Sequence, residues 1–118
     1  MSAEKFVSLC FALGTQAQLN HIRPRTRSDA EHRALDDFYT GLVPLADKFA
    51  ECYQGRFELL GEIPPTNKLS DDSIKMLTQA RDWIEDFRTT VTASDLQNIL
   101  DELIALINQT LFRLRHLK

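Results

Sequence analysis

SDAEHRALDDFYTGLVPLADKFAECY, residues 28–53, has the period of one long amphipathic helix. Ser28 with Glu31 three residues later is a capping box, the pairing that satisfies the first free N–H groups of a helix. With ~100° per residue and His32 set to zero, Phe38, Leu42, Leu45 and Phe49 fall between about 220° and 280°. That bulky apolar arc is the core face. Asp36 falls at about 40°, Asp47 at about 60° and Glu51 at about 100° on a second arc. Tyr39, Val43, Ala46 and Ala50 border or interrupt the second arc, which suits a face packed against another protein surface. Arg33, Asp37, Lys48 and Pro44 take the remaining arc, the solvent side, and Pro44 predicts a bend in mid-helix because its nitrogen cannot donate.

Outward from this stretch, the four glycines and four prolines fall mostly between periodic segments. A first helix is expected over Ser2 to His21, with Phe6, Leu9, Leu13 and Leu19 near one stripe, ended by Pro24. The second runs to about Tyr53 and stops near Gly55. Residues 54–68 hold Gly61, Pro64 and Pro65 and form a long link. A third helix starts after Ser70, with Asp71 and Asp72 in its first turn, and ends near Arg88, Trp83 and Phe87 being core. Thr89 to Thr92 make the next break. Ser94 and Asp95 open a fourth helix, whose Leu96, Ile99, Leu100, Leu103, Ile107, Leu111 and Leu114 form a continuous apolar stripe. The expected fold is an all-α four-helix bundle, one domain over residues 1–118, with a long connection between helices 2 and 3.

Composition narrows the function classes. Hydrophobic residues are 43% and charged residues 26%, ordinary values for a globular domain. The formal charge of −3 argues against a general nucleic-acid coat. Arg23, Arg25 and Arg27, or Arg113, Arg115 and Lys118, could touch the phosphates of DNA, but such groups in an acidic chain are more often solvated ends. No apolar run approaches the ~20 residues of a membrane span, and the opening segment lacks the form of a secretory signal. Cys10 and Cys52 read as free buried thiols of a reducing cytoplasm.

The chemistry-bearing residues are five potential metal ligands, His21, His32, Asp36, Asp47 and Glu51. His32 and Asp36 are neighbours at i,i+4, as are Asp47 and Glu51. Asp36 and Asp47 are separated by a rise of roughly 16 Å, too far to share one ion within a chain. Two helices packed antiparallel about a two-fold axis would bring each His32/Asp36 pair to the other copy's Asp47/Glu51 pair, so a homo-oligomer, at least a dimer, is expected. Carboxylates with imidazole suit Fe(II), with Zn or Mn as alternatives. Tyr39, one turn from Asp36, is placed for a supporting hydrogen bond.

The stretch from His21 to Gly61 resembles the Dps family of mini-ferritins. His32-Arg33-Ala34-Leu35-Asp36-Asp37-Phe38-Tyr39 is similar to the family's H-x-x-F-[DE]-x-x-Y element, with Leu35 in place of the aromatic. Asp47-Lys48-Phe49-Ala50-Glu51 is similar to D-x-x-A-E, and Leu60-Gly61-Glu62-Ile63-Pro64 to L-G-x-x-P. His21 is followed by Ile22 where the family usually has Trp. The resemblance implies a ferritin-like bundle and a ferroxidase site between two-fold related subunits. It assigns His21, His32 and Asp36 of one chain to that site, with Asp47 and Glu51 of the other. His32, Asp36 and Glu51 would be catalytic in Fe(II) oxidation, Asp36 and Glu51 being the principal or bridging ligands. The competing expectation is a non-catalytic helical interaction protein, a phage or bacterial accessory factor that keeps the bundle without the oxidation.

Overall fold

The computed structural model describes residues 1–23 and 28–117. It contains four helices, α1 (Ala3–Ile22), α2 (Asp29–Arg56), α3 (Ser73–Arg88) and α4 (Ser94–His116), and no strand among the described residues. Each forms for a local reason. Ser2 caps α1 by accepting from the Lys5 N–H, and Ser28 caps α2 by accepting from the Glu31 N–H, as the capping box predicts. Asp72 caps α3, so neither it nor Asp71 sits in the first turn, and the expected start moves inward. Ala93 occupies the cap of α4 without a side-chain bond, so Ser94 is the first helical residue and does not serve as its cap.

The end of α2 falls beside Gly55 as expected, at Arg56. The helix is continuous across Pro44, which lies on the exposed side, where the ring meets solvent and leaves the core untouched. The expected helix end at Pro24 lies outside the described residues.

The antiparallel neighbours are α1 with α2, α2 with α4, α4 with α3, and α3 with α1. The diagonal pairs meet only through side chains such as Phe49 and Phe87. Ring contacts among Phe6, Phe49 and Phe87, and the Arg56–Asp95 ion pair, place the starts of α1 and α4 beside the ends of α2 and α3. Asn20–Ser73 and Arg113–Asp37 define the opposite end. Helices α2 and α3 therefore run parallel on a diagonal, and residues 57–72 cross the length of the bundle between them. That crossover is tied down along α1. The Gly61 N–H donates to Glu4, the Ser8 hydroxyl donates to the Pro64 carbonyl and bonds Thr66, and Leu69 is buried.

The core is the one the pattern predicts along α4, whose seven stripe residues are all buried, and along α2, where Phe38, Leu42 and Phe49 are sealed. Two expected core residues are outside it. Leu19 is 50% exposed and Trp83 41% exposed. Cys10 is a buried free thiol and burial pushes it up to about 12, whereas Cys52 is free but only half-buried. No helix among the described residues is long and apolar enough to cross a membrane.

Candidate functional site

His21 lies in the last turn of α1 and His32 in the first turn of α2. Because those helices are antiparallel neighbours, the junction folds the two imidazoles onto each other. Their ring centroids are 3.8 Å apart and their planes differ by 20°. The His21 Nδ1 bonds the His32 carbonyl at 2.9 Å, and the His32 Nδ1 bonds the His21 carbonyl at 2.9 Å. A carbonyl oxygen only accepts, so both Nδ1 atoms carry hydrogen and each neutral ring keeps its lone pair on Nε2. Tyr39 stands edge-on to His21, 5.5 Å away and at 78°. The Asp36 carboxylate beside it, first as a hydrogen-bond acceptor, holds its phenol above the ordinary 10.0, with desolvation adding to the rise. One end of the bundle thus gathers His21, His32, Asp36 and Tyr39.

Asp47 and Glu51 lie about three turns further along α2, exposed on the same side as His32 and Asp36. Among the described residues, no group of three or more His, Cys, Asp or Glu is close enough to hold one ion. The structure therefore brings the two histidines together and leaves the carboxylate pairs apart. Between the two groups runs an open groove of about 360 Å³ between α1 and α2, lined by Cys10, Phe11, Tyr39, Val43, Ala46 and Asp47 among others. Phe11 is 58% exposed and Val43 54%, so apolar surface adjoins the acidic residues.

The donor chemistry fits a divalent transition metal in part. A bare Nε2 opposite a carbonyl-bound Nδ1–H is the arrangement usual for a metal-binding histidine. The stack, however, does not fit one ion held by both rings. A metal sits near the plane of each imidazole at about 2.1 Å, whereas two rings stacked with centroids 3.8 Å apart and planes inclined by only 20° do not converge on one point at that distance. The pair His32/Asp36 and the pair Asp47/Glu51 carry no such conflict.

Two features escaped the helical pattern: the reciprocal bonding of the histidines and the apolar groove beside them. The first had a signal, since residues flanking a short link between antiparallel helices must be spatial neighbours. Phe11 had none, because its helix offers apolar residues on more than one side. Of the cationic candidates for DNA, Arg25, Arg27 and Lys118 lie outside the described residues. Arg113 pairs with Asp37 at 2.7 Å and Arg115 bonds Thr78, so both already serve the bundle.

The chain is 28% identical over 114 residues to the "uncharacterized 14.6 kDa protein in mobD-ri intergenic region" of Enterobacteria phage T4, covering 95% of this chain and 87% of that protein. No solved structure matches. The model of the family of unknown function DUF5856 matches residues 24–114, from the α1–α2 junction to the last turns of α4, and the chain belongs to that family.

Proposed function

We propose that this chain pairs with a second copy through its α1–α2 face and binds a divalent metal there, Fe(II) foremost, with Zn or Mn as alternatives. His32 and Asp36 of one copy would face Asp47 and Glu51 of the other, and His21 would join them only by leaving its stack. The observation that carries the reading is the continuous outward arc of His32, Asp36, Asp47 and Glu51 beside exposed Phe11 and Val43. Such a face is incomplete as a metal site in one chain and apolar enough to be covered. The single long crossover between parallel α2 and α3 is also the connection found in ferritin-like bundles. Fe(II) as substrate would pass one electron each from two ions to hydrogen peroxide, which takes up two protons and leaves as water.

Anaerobic Fe(II) titration followed by peroxide tests this. The native protein should bind saturably, and Asp36→Ala and Glu51→Ala should each lose binding. Mixing those two variants should restore one intact site per mixed dimer, because one copy still supplies Asp36 and the other Glu51. Absence of saturable binding by the native chain sinks the proposal, and absence of recovery on mixing sinks the shared site.

A second reading is favoured by the histidine stack, which occupies both rings without any metal. It makes the chain a non-catalytic helical interaction protein whose α1–α2 face docks another macromolecule. Self-association without Fe(II) binding by the native chain would move the face from metal centre to interface.

A further inference from the structure

We infer that His21 and His32 form a structural clasp that closes the α1–α2 junction, so that they cannot act as a chelating pair for one ion. The clasp belongs to the metal-free chain and stands whether or not the face binds metal.

Its first basis is the need of a helix end. The last four carbonyls of a helix have no N–H partner within it. In α1 these include Leu19, which accepts from the Arg23 N–H, and His21, which accepts from the His32 ring. The clasp thus satisfies a backbone group that the helix itself cannot. Its second basis is reciprocity. The return bond from the His21 ring to the His32 carbonyl makes the link a closed double contact across two helices. The third is the packing of the rings. Face-to-face contact at 3.8 Å, with Tyr39 edge-on to His21, fixes the stack from the side. This arrangement directs any metal to one imidazole per ion.

Amide side chains separate the two roles. Asn places its N–H near the position of Nδ1, and Gln places its own near that of Nε2. In chelator-treated protein, His21→Gln and His32→Gln should each raise the unfolding equilibrium constant roughly 3- to 10-fold, the range for a lost hydrogen bond. His21→Asn and His32→Asn should recover most of that loss. The double Gln variant should lose much less than the product of the two single losses, because one broken bond already opens the clasp. Equal effects of Asn and Gln, or independent multiplication of the single losses, would overturn the inference. So would a stability difference that emerges only after Co(II) is added. Long-range nitrogen–proton NMR on the unaltered protein needs no variant. In the neutral form of both rings it should find hydrogen on Nδ1 and none on Nε2, and a neutral Nε2–H tautomer in either would refute the clasp. The Fe(II) titration can fail while these results hold, and the reverse, so the two proposals fall separately.

Discussion

The two ends of the bundle are held by different physics. At the end where α1 begins, Phe6 lies 4.5 Å from Phe49 and 5.1 Å from Phe87, ring centroid to centroid, and Tyr53 stacks on the outer side of Phe49. At the end where α1 finishes, Asn20 bonds Gln16 and Ser73, His21 bonds His32, and Arg113 reaches Asp37. Ring packing is summed over many weak contacts and tolerates small shifts. Polar pairs are directional, so they fix which helix end meets which. The aromatic end is therefore expected to carry stability, and the polar end to set register and present the His32/Asp36 half of the candidate site.

The largest test of that division is Phe49→Ala. Phe49 is fully buried and touches rings from α1 and α3, so its removal should cost about 3–5 kcal/mol, measured as the shift in urea unfolding. A loss under about 2 kcal/mol would mean that the end collapses around the gap and that stability lies elsewhere. At the other end, Asn20→Ala should cost about 1–3 kcal/mol. Asn20 is buried, its carbonyl oxygen accepts from Gln16 at 2.8 Å, and its amide donates to Ser73 at 3.2 Å. If this loss matched or exceeded that of Phe49→Ala, the contrast between the ends would be broken.

The same contrast explains what could be read in advance. Helical periodicity reports which residues share a face, so the stripe of α4 and the arcs of α2 were legible, and with them a four-helix bundle with one long link. Periodicity does not report how many neighbours a helix has, which is why Leu19 and Trp83 were expected inside and stand exposed. For the site, the spacing placed His32, Asp36, Asp47 and Glu51 outward on one side of α2. It could not show that His21 and His32 use their Nδ1 atoms on each other's backbone. That contact depends on how two helix ends meet, and no single-helix pattern contains it.

Gly55 offers a smaller test, of opposite sign, at the aromatic end. A glycine near the expected helix end suggests a stop, but Gly55 is helical and a methyl group added there would meet nothing within 4 Å. Gly55→Ala should therefore stabilise the protein by about 0.5–1 kcal/mol through lower unfolded-state entropy, seen as a higher urea midpoint. Destabilisation would show that α2 uses a glycine-dependent end after all.

The smallest effect concerns the strap that joins the two ends. Glu4, in the first turn of α1, accepts the Gly61 N–H at 2.8 Å, and this bond foremost, with its own backbone N–H second, holds its carboxyl below the ordinary 4.5. A carboxylate with a lowered folded pKa stabilises the folded state above its unfolded value and loses that contribution as pH falls through the folded value. Glu4→Gln keeps an oxygen for Gly61 but removes the charge. The variant should thus be slightly less stable than the native protein at neutral pH, and the gap should close as pH drops below 4.5. Because the group is solvent-accessible, salt should narrow the gap as well. Paired urea titrations across pH would read this directly. A gap that persisted unchanged in strong acid would assign the contact to shape alone. The crossover would then be held by its buried Leu69 and by Ser8, with Glu4 contributing no charge-dependent anchoring.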